Sequence, residues 1–303
     1  MNSPSLAKPR KRKRDWGTAL FVATLLLPAV LLYSFLVLWP MEQSFWVALH
    51  RWRGVSGNMI FVGPENFIQL LSDERFRGAL LHNLLFFGMV AAAVLALGLL
   101  FANTLAGRFR GVEFFRALFL FPNVVSLVAV STLWMFLYNP NWGLINAVLS
   151  RVNPAFKGMT WLTGPTALLA VAITYVWYVL GFYVLLFRAG IQNIPAEIQE
   201  AARVDGASEG ERFRYVTLPL LSDIVRLAVI HLIINSMNVF ALVWIMAPPN
   251  STAGNTEVAL TYLYQKGFVE QQFGYSSAIG AVNFVLVMTV TYLLQRFWKT
   301  ENA

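Results

Sequence analysis

Six long apolar runs constrain this chain more than any other feature of its sequence. A helix needs roughly 20 mostly apolar residues to cross about 30 Å of hydrocarbon. The chain is also only 13% charged, whereas soluble domains average about 25%. The sequence therefore predicts an all-α integral membrane protein with six transmembrane helices. The predicted spans cover residues 17–39, 79–105, 115–137, 166–187, 227–247 and 277–297.

Lysine and arginine are distributed unequally between the two sides that these spans define. Most of the 23 Lys and Arg residues fall in the N-terminal tail, the loops after spans two and four, and the C-terminus. Cytoplasmic segments of membrane proteins concentrate these residues. We therefore expect a multi-pass protein, surrounded by membrane lipid, with both termini cytoplasmic. The net charge of +8 follows from this topology and does not indicate a nucleic-acid partner.

The spans divide the chain into four regions. Residues 1–16 form a basic tail that the Lys and Arg count predicts to be cytoplasmic. The apolar run after it is too long for a secretory signal, so we interpret it as an uncleaved anchor. Residues 17–77 hold the first span and an external loop. Residues 78–297 hold the remaining spans, with a polar cytoplasmic segment at 195–219, and residues 298–303 form a C-terminal tail.

The polar segment between spans four and five carries helix signals. Pro195 suits the first turn of a helix, and Gly206 suits the position just after a helix ends. Ser208-Glu209-Gly210-Glu211 matches the S-x-x-E capping box, and Leu218-Pro219 ends the second helix. The sequence predicts two short helices joined by a glycine elbow. From the residues alone, the segment is either a solvated connector or a surface that another protein approaches.

The same segment resembles the signature of the permease subunits of binding-protein-dependent ABC importers. That signature is Glu-Ala-Ala, three residues, Gly, nine residues, then Ile-x-Leu-Pro. This chain has Glu200-Ala201-Ala202, Gly206 and Val216-Thr217-Leu218-Pro219, with Val216 in place of Ile. The resemblance extends over about 61–297 and is to the carbohydrate-uptake branch, of the maltose and glycerol-phosphate type. The chain departs from this branch at Pro248-Pro249-Asn250, where the branch has a Gly-Gly-Pro turn.

The resemblance implies a type I ABC importer permease fold and a mechanism. The polar segment would be a pair of coupling helices that dock on a cytoplasmic ATPase. The partners would be a second permease subunit, two ATPase subunits, an external solute-binding protein and a sugar substrate, in a bacterial or archaeal inner membrane. The implied ATPase-coupling residues are Glu200, Ala201, Ala202, Asp205, Gly206, Leu218 and Pro219.

The same resemblance implies that the chain has no catalytic residues and no cofactor of its own. ATP and Mg would be bound by the partner ATPase. The sequence agrees, since it contains no G-x-x-x-x-G-K-[ST] phosphate-binding run. The three histidines have no metal-ligand spacing, so no metal site is predicted.

Polar and aromatic side chains inside the spans are candidates for the substrate pathway. Intramembrane polar groups are costly and usually face the bundle interior or a cavity. On span five, polar residues recur at intervals of four and three residues and so share one helical face as a polar stripe. On span four, tyrosines share one face, and their aromatic rings suit contact with sugar rings. Each residue could equally hold helices together. The candidates are Tyr175, Tyr178, His231, Asn235, Asn238 and Asn283.

Other functions remain open from the residues alone. The same architecture could import glycerol phosphate or another polyol, although a phosphorylated cargo favours Arg or Lys in the pathway and the spans carry none away from their ends. An ion-coupled secondary carrier would usually show internal repeats and acidic residues near the midplane. An intramembrane enzyme would need a catalytic constellation within the spans. The sequence shows neither of these patterns.

Overall fold

The computed structural model describes residues 16–54, 57–106, 111–248 and 256–298. The basic tail, the Pro249-Asn250 turn and the C-terminal tail after Trp298 lie outside the described residues. The long helices are α1 (Trp16–Tyr33), α2 (Trp39–Ala48), α4 (Glu74–Ala106), α5 (Val112–Val124), α6 (Leu127–Leu137), α8 (Ala167–Gln192), α12 (Ser222–Met237) and α15 (Phe273–Phe297).

Shorter elements connect these helices. A π-helical turn (Ser34–Leu38) joins α1 to α2, and a two-residue antiparallel pair, β1 (His50–Arg51) and β2 (Ile60–Phe61), follows. The remaining elements are α3 (Glu65–Ser72), α7 (Leu144–Val152), a 3₁₀ turn (Gly164–Thr166), α9 (Ala196–Val204), α10 (Glu209–Arg212), a π-helical turn (Phe213–Thr217), α11 (Leu218–Leu220), α13 (Ala241–Met246), α14 (Ala259–Tyr264) and a π-helical turn (Gln265–Val269).

The number of membrane spans depends on how bent helices are counted. Four helical stretches of the described chain are long and apolar enough to cross a membrane, and two bent pairs raise the number to six. Predicted spans one, two, four and six correspond to α1–α2, α4, α8 and α15. Span three is the pair α5 and α6, which is interrupted after Val124.

The prediction of span five as one helix over 227–247 is wrong. The helix α12 begins earlier, at Ser222, and ends at Met237, and α13 begins only at Ala241. The stretch from Glu209 to Leu220 meets α12 at an angle of 69°. The run of apolar residues concealed this break, because hydropathy reports burial in lipid and not helix continuity.

The helix α8 lies at the centre of the packed bundle. It packs against α4 and α5, α4 packs against α12, and α15 packs against α12 and α2. A Cβ atom added to Gly181 would lie 1.8 Å from the carbonyl oxygen of Phe119, so α5 and α8 cross at backbone contact. Small residues allow such close crossings in membranes.

The bundle has two distinct ends. The polar segment lies between α8 and α12, and Asn103 near the end of α4 lines a cavity with Gln199 and Arg212 of that segment. Arg226 donates to the carbonyl of Trp298, which places the end of α15 there as well. We call this the segment end. The starts of α4 and α15 therefore lie at the other end, the far end.

Candidate functional site

The polar segment folds as two short helices joined at a glycine, as the sequence predicts. Gly206 follows α9 with a φ of +81°, a conformation that glycine adopts without strain. The amide of Ala207 donates to the carbonyl of Ala202 at 3.1 Å, and that of Gly206 to the carbonyl of Arg203 at 3.1 Å. These two bonds form a Schellman motif, which pairs carbonyls at a helix end.

The second helix, α10, begins with the predicted capping box. The amide of Ser208 donates to the Glu211 carboxylate at 2.8 Å, and the amide of Glu211 donates to Ser208 Oγ at 3.4 Å. Both amides would otherwise lack a partner at the helix start. Gln199 Nε2 donates to Thr217 Oγ1 at 3.1 Å, which ties α9 to the turn after α10. Local bonds therefore hold the segment as one unit.

The predicted coupling residues lie at the surface of the single chain. Beside them, large apolar side chains are also open: Val204 is 88% exposed and Tyr215 is 68% exposed. Exposed apolar groups rimmed by charge are typical of protein contact surfaces. None of the seven predicted residues is buried: Glu200, Ala201, Asp205, Gly206 and Pro219 are exposed, and Ala202 and Leu218 are half-buried.

His231 connects span five to span four inside the bundle. Its Nδ1 lies 2.9 Å from the hydroxyl of Tyr183, and its ring centroid lies 5.4 Å from that of Phe182. His231 is nevertheless exposed in the single chain. The residue therefore holds α12 against α8 on one side and is open on the other.

The two asparagines of the stripe lie where span five stops being helical. Asn235 Nδ2 donates to the carbonyl of His231 at 2.7 Å, and Asn238 Nδ2 donates to that of Ile234 at 2.8 Å. Asn238 follows the last residue of α12, and Phe240 has a non-helical φ of −133° and ψ of −68°. Non-helical backbone at membrane depth is tolerated only inside protein or beside a water-filled cavity.

Comparison with known proteins identifies the family. Residues 5–299 match the family described as "Binding-protein-dependent transport system inner membrane component". The chain belongs to this family. The membership sets aside the ion-coupled carrier and the intramembrane enzyme, and it places the permease among inner-membrane components of transport systems.

Curated relatives of the permease cover most of its length. It is 34% identical to the diacetylchitobiose uptake system permease protein NgcF of Streptomyces coelicolor, over 91% of this chain and 81% of the relative. It is 33% identical to the trehalose/maltose transport system permease protein MalF of Thermococcus litoralis, over 89% and 91%. It is 29% identical to the sn-glycerol-3-phosphate transport system permease protein UgpA of Agrobacterium fabrum, over 90% and 92%.

Solved structures confirm the predicted ABC importer permease fold. A chain of a bacterial ABC transporter that imports the acidic polysaccharide alginate matches with a TM-score of 0.82 and 19% identity, over 96% of the permease and 99% of that chain. A chain of the alginate transporter in complex with a pentasaccharide-bound periplasmic protein matches with a TM-score of 0.81 and 20% identity, over the same shares. At this identity the likeness concerns the fold alone.

The remaining candidate pathway residues of the permease are more buried in the helix bundle. Tyr175 is buried, with its ring centroid 5.4 Å from that of Phe86 and 6.4 Å from that of Tyr178. Tyr178 is half-buried. Asn283 is buried and its Oδ1 has no hydrogen-bond partner. The structure thus brings His231 and Asn238 to an open face of α12, while Tyr175 and Asn283 lie inside the single chain.

Sequence reasoning missed a polar network at the far end. Arg75 donates to Glu257 through Nε at 2.7 Å and Nη2 at 3.0 Å. Asp73 Oδ2 accepts from the hydroxyls of Tyr262 and Tyr275, each at 2.5 Å. Burial alone would raise the pKa of Asp73, but these hydroxyls hold it below its ordinary value. The cluster of charged residues at the start of α4 is the sequence feature that could have predicted this network.

A buried asparagine, Asn83, makes two further long-range hydrogen bonds inside the bundle. Asn83 donates through Nδ2 to the carbonyl of Ser236 at 2.8 Å and accepts at Oδ1 from the amide of Ala259 at 2.8 Å. It thereby pairs one backbone group near the break in span five and another at the start of α14. Among the described residues, no group of three or more His, Asp or Glu could hold a metal ion.

Proposed function

We propose that the permease is the transmembrane subunit of an ATP-driven sugar importer and forms half of its translocation pathway. The main support for this proposal is the exposed helix–elbow–helix segment, which contains the family signature. The diacetylchitobiose and trehalose/maltose permeases among its relatives support a sugar substrate. The charge distribution supports cytoplasmic termini and a cytoplasmic segment end in a bacterial or archaeal membrane.

In this proposal the polar segment docks on a cytoplasmic ATPase subunit, which binds ATP and Mg. The exposed Val204 and Tyr215 provide the apolar part of that contact. Closure of an ATPase dimer pushes on the segment, and the Gln199–Thr217 bond makes α9 and the turn before α12 move together. The movement reaches α8 and α12 directly, because the segment connects these two helices.

A second permease subunit covers the open face of α12 in the assembly. Leu227, His231, Ile234 and Asn238 are exposed in the single chain and recur at steps of four, three and four, which is one helical face. Polar side chains on such a face, beside a broken helix, suit sugar hydroxyls at a binding site near the midplane. The face therefore lines the pathway between the two permeases.

An external solute-binding protein delivers the sugar to the far end. The family description names binding-protein-dependent systems, and the alginate transporter was solved with its periplasmic protein. A second candidate cargo is glycerol phosphate, which the glycerol-phosphate relative favours. However, the arginines of α8 and α12 are Arg188 and Arg226, both near the segment end. The middle of the pathway face thus lacks a cation for a phosphate group.

Sugar-stimulated ATPase activity of the reconstituted assembly tests this function. Gly206→Pro fixes φ near −65°, which is incompatible with the elbow, and it removes the amide that donates to Arg203. We expect the variant to assemble but to lose stimulation and uptake. Gly210→Ala is the matched control, since a Cβ there meets no atom within 4 Å and α10 tolerates alanine.

Each outcome of this experiment has a distinct meaning. Full stimulation and uptake in Gly206→Pro would show that the segment is a passive connector. If glycerol 3-phosphate stimulates the ATPase activity of the wild type and none of diacetylchitobiose, trehalose and maltose does, the imported substrate is glycerol phosphate and not a sugar.

A further inference from the structure

A polar cavity of about 330 Å³ lies between the polar segment and the helix bundle. Asn103 of α4 and Ile191 of α8 line it on the bundle side. The polar residues that line it on the segment side are Gln199, Arg203, Glu209, Arg212 and Thr217. None of the described lining residues belongs to α12, so the cavity is separate from the pathway face. We call it the segment cavity.

Arg212 is the most buried charged residue of the segment cavity, with a side chain that is 13% exposed. Its Nε is fully buried and has no hydrogen-bond partner among the described residues. Its Nη2 lies 3.4 Å from Glu209, whose side chain is 94% exposed, and such surface ion pairs contribute little. Because buried polar groups are nearly always paired, Arg212 has donors left for a ligand.

Arg203 supplies a second guanidinium group to the segment cavity. It follows Gln199 by four residues on α9, so the two side chains share one helical face. Within the described parts of the chain, the Arg203 side chain has no ion pair. Thr217 accepts a hydrogen bond from Gln199 and retains its hydroxyl proton to donate. The lining therefore offers many donors and a single carboxylate, which is mainly in solvent.

A third guanidinium group lies one turn deeper in the bundle. Arg188 precedes Ile191 by three residues on α8, so it lies on the helical face that borders the segment cavity. It is 7% exposed, and its Nε has no hydrogen-bond partner among the described residues. A buried cation is costly without a counter-charge. Three guanidinium groups in or beside one cavity therefore favour an anionic ligand.

We propose that the segment cavity binds a phosphate group. Phosphate presents several oxygens, which guanidinium groups bind through paired hydrogen bonds, and Asn103 and Thr217 can supply further donors. Pockets for drug-sized ligands begin at about 300 Å³, so a cavity of about 330 Å³ has room for a phosphate ester with a small attached group such as glycerol.

Two sources present this chemistry to the segment cavity. Asn103 lies in the last turns of α4, where a membrane-spanning helix reaches the polar headgroups, so one source is the headgroup of an anionic phospholipid. The other source is a small soluble phosphate ester. Either ligand would contact α4, α9 and α10 together and so hold the polar segment against the bundle.

Amide hydrogen exchange over residues 196–212 of the reconstituted assembly tests this site. In one arm the nanodiscs contain phosphatidylcholine alone, and inorganic phosphate is compared with chloride at equal ionic strength. In the other arm the nanodiscs contain phosphatidylcholine and phosphatidylglycerol in equal parts, without inorganic phosphate. A ligand at ten times its half-maximal concentration should slow exchange in α10 about tenfold. The measurement uses neither sugar nor nucleotide, so its failure would leave the proposed function standing.

Matched variants assign the effect to the segment cavity. Arg203→Gln removes one cation from the lining and should raise the half-maximal phosphate concentration about tenfold or more, or abolish the effect of phosphatidylglycerol. Arg214→Gln makes the same change of charge outside the cavity, where Arg214 lies over the ring of Tyr215, and should behave as the wild type. If Arg203→Gln alters exchange without a probe, Asn103→Leu replaces it, because that change leaves the segment itself intact.

The two arms distinguish the sources of phosphate. Slower exchange with inorganic phosphate identifies a site for soluble phosphate esters, and slower exchange with phosphatidylglycerol alone identifies a lipid headgroup site. Three results would overturn the site: no response to either probe, full protection in Arg203→Gln, or a loss in Arg214→Gln as large as that in Arg203→Gln.

Discussion

The two ends of the permease are built from different kinds of contact. At the segment end, Ser208 and Glu211 pair across three positions of sequence, and the Schellman bonds at Gly206 are equally local. At the far end, Arg75 and Glu257 pair across 182 positions. The first end is an exposed unit held by its own backbone, whereas the second joins distant helices. The segment end is therefore suited to docking and the far end to holding the bundle together.

The strongest test of this difference removes the long-range ion pair. The side chain of Glu257 is only 4% exposed, so Arg75→Ala leaves a buried carboxylate without its partner. Arg75 itself is 39% exposed, so the cost should lie at the lower end of that of breaking a buried pair, at about 3 kcal/mol. We expect the midpoint of thermal unfolding in lipid nanodiscs to fall clearly below that of the wild type.

The adjacent Arg77→Ala serves as the control. Arg77 is 61% exposed and lies 3.6 Å from Glu74, which is 92% exposed, and such surface pairs contribute about 0–1 kcal/mol. Its unfolding midpoint should match the wild type. Equal midpoints for Arg75→Ala and Arg77→Ala would show that the far end does not stabilise the bundle through this pair.

This difference also explains how much of the permease the sequence predicts. The elbow at Gly206 and the capping box at Ser208 depend on neighbours in sequence, so residue types and spacing are enough to predict them. The ion pair of Arg75 depends on which helices meet, and no local pattern contains that information. The length and hydropathy of the apolar runs likewise predict which parts of the chain cross the membrane.

Span five shows the same limit inside the membrane. Its residues are apolar on both sides of Asn238, so hydropathy predicts one continuous helix. The break follows from tertiary contacts: Asn83 of α4 pairs the carbonyl of Ser236 and the amide of Ala259. The polar stripe was visible in the sequence, but its position at a helix end was not.

A second, smaller effect should follow from removing Asn83. Asn83→Ala leaves the Ser236 carbonyl and the Ala259 amide unpaired in a buried site, which costs about 2 kcal/mol. The unfolding midpoint should fall, by less than in Arg75→Ala. Thr104→Ala in the same helix is the control, because its exposed hydroxyl bonds only to the carbonyl of Leu100. A midpoint equal to that of the control would show that water replaces the asparagine.

The smallest effect is expected at the segment end. Ser208→Ala removes the cap of α10 and costs about 1 kcal/mol locally, which should speed amide exchange at Glu211 about fivefold. Ser208→Thr keeps the capping oxygen and should restore slow exchange. The unfolding midpoint should not change, because α10 has no buried residues and does not contribute to the core. A fall as large as that in Arg75→Ala would mean that the segment stabilises the bundle, and the distinction between the two ends would be wrong.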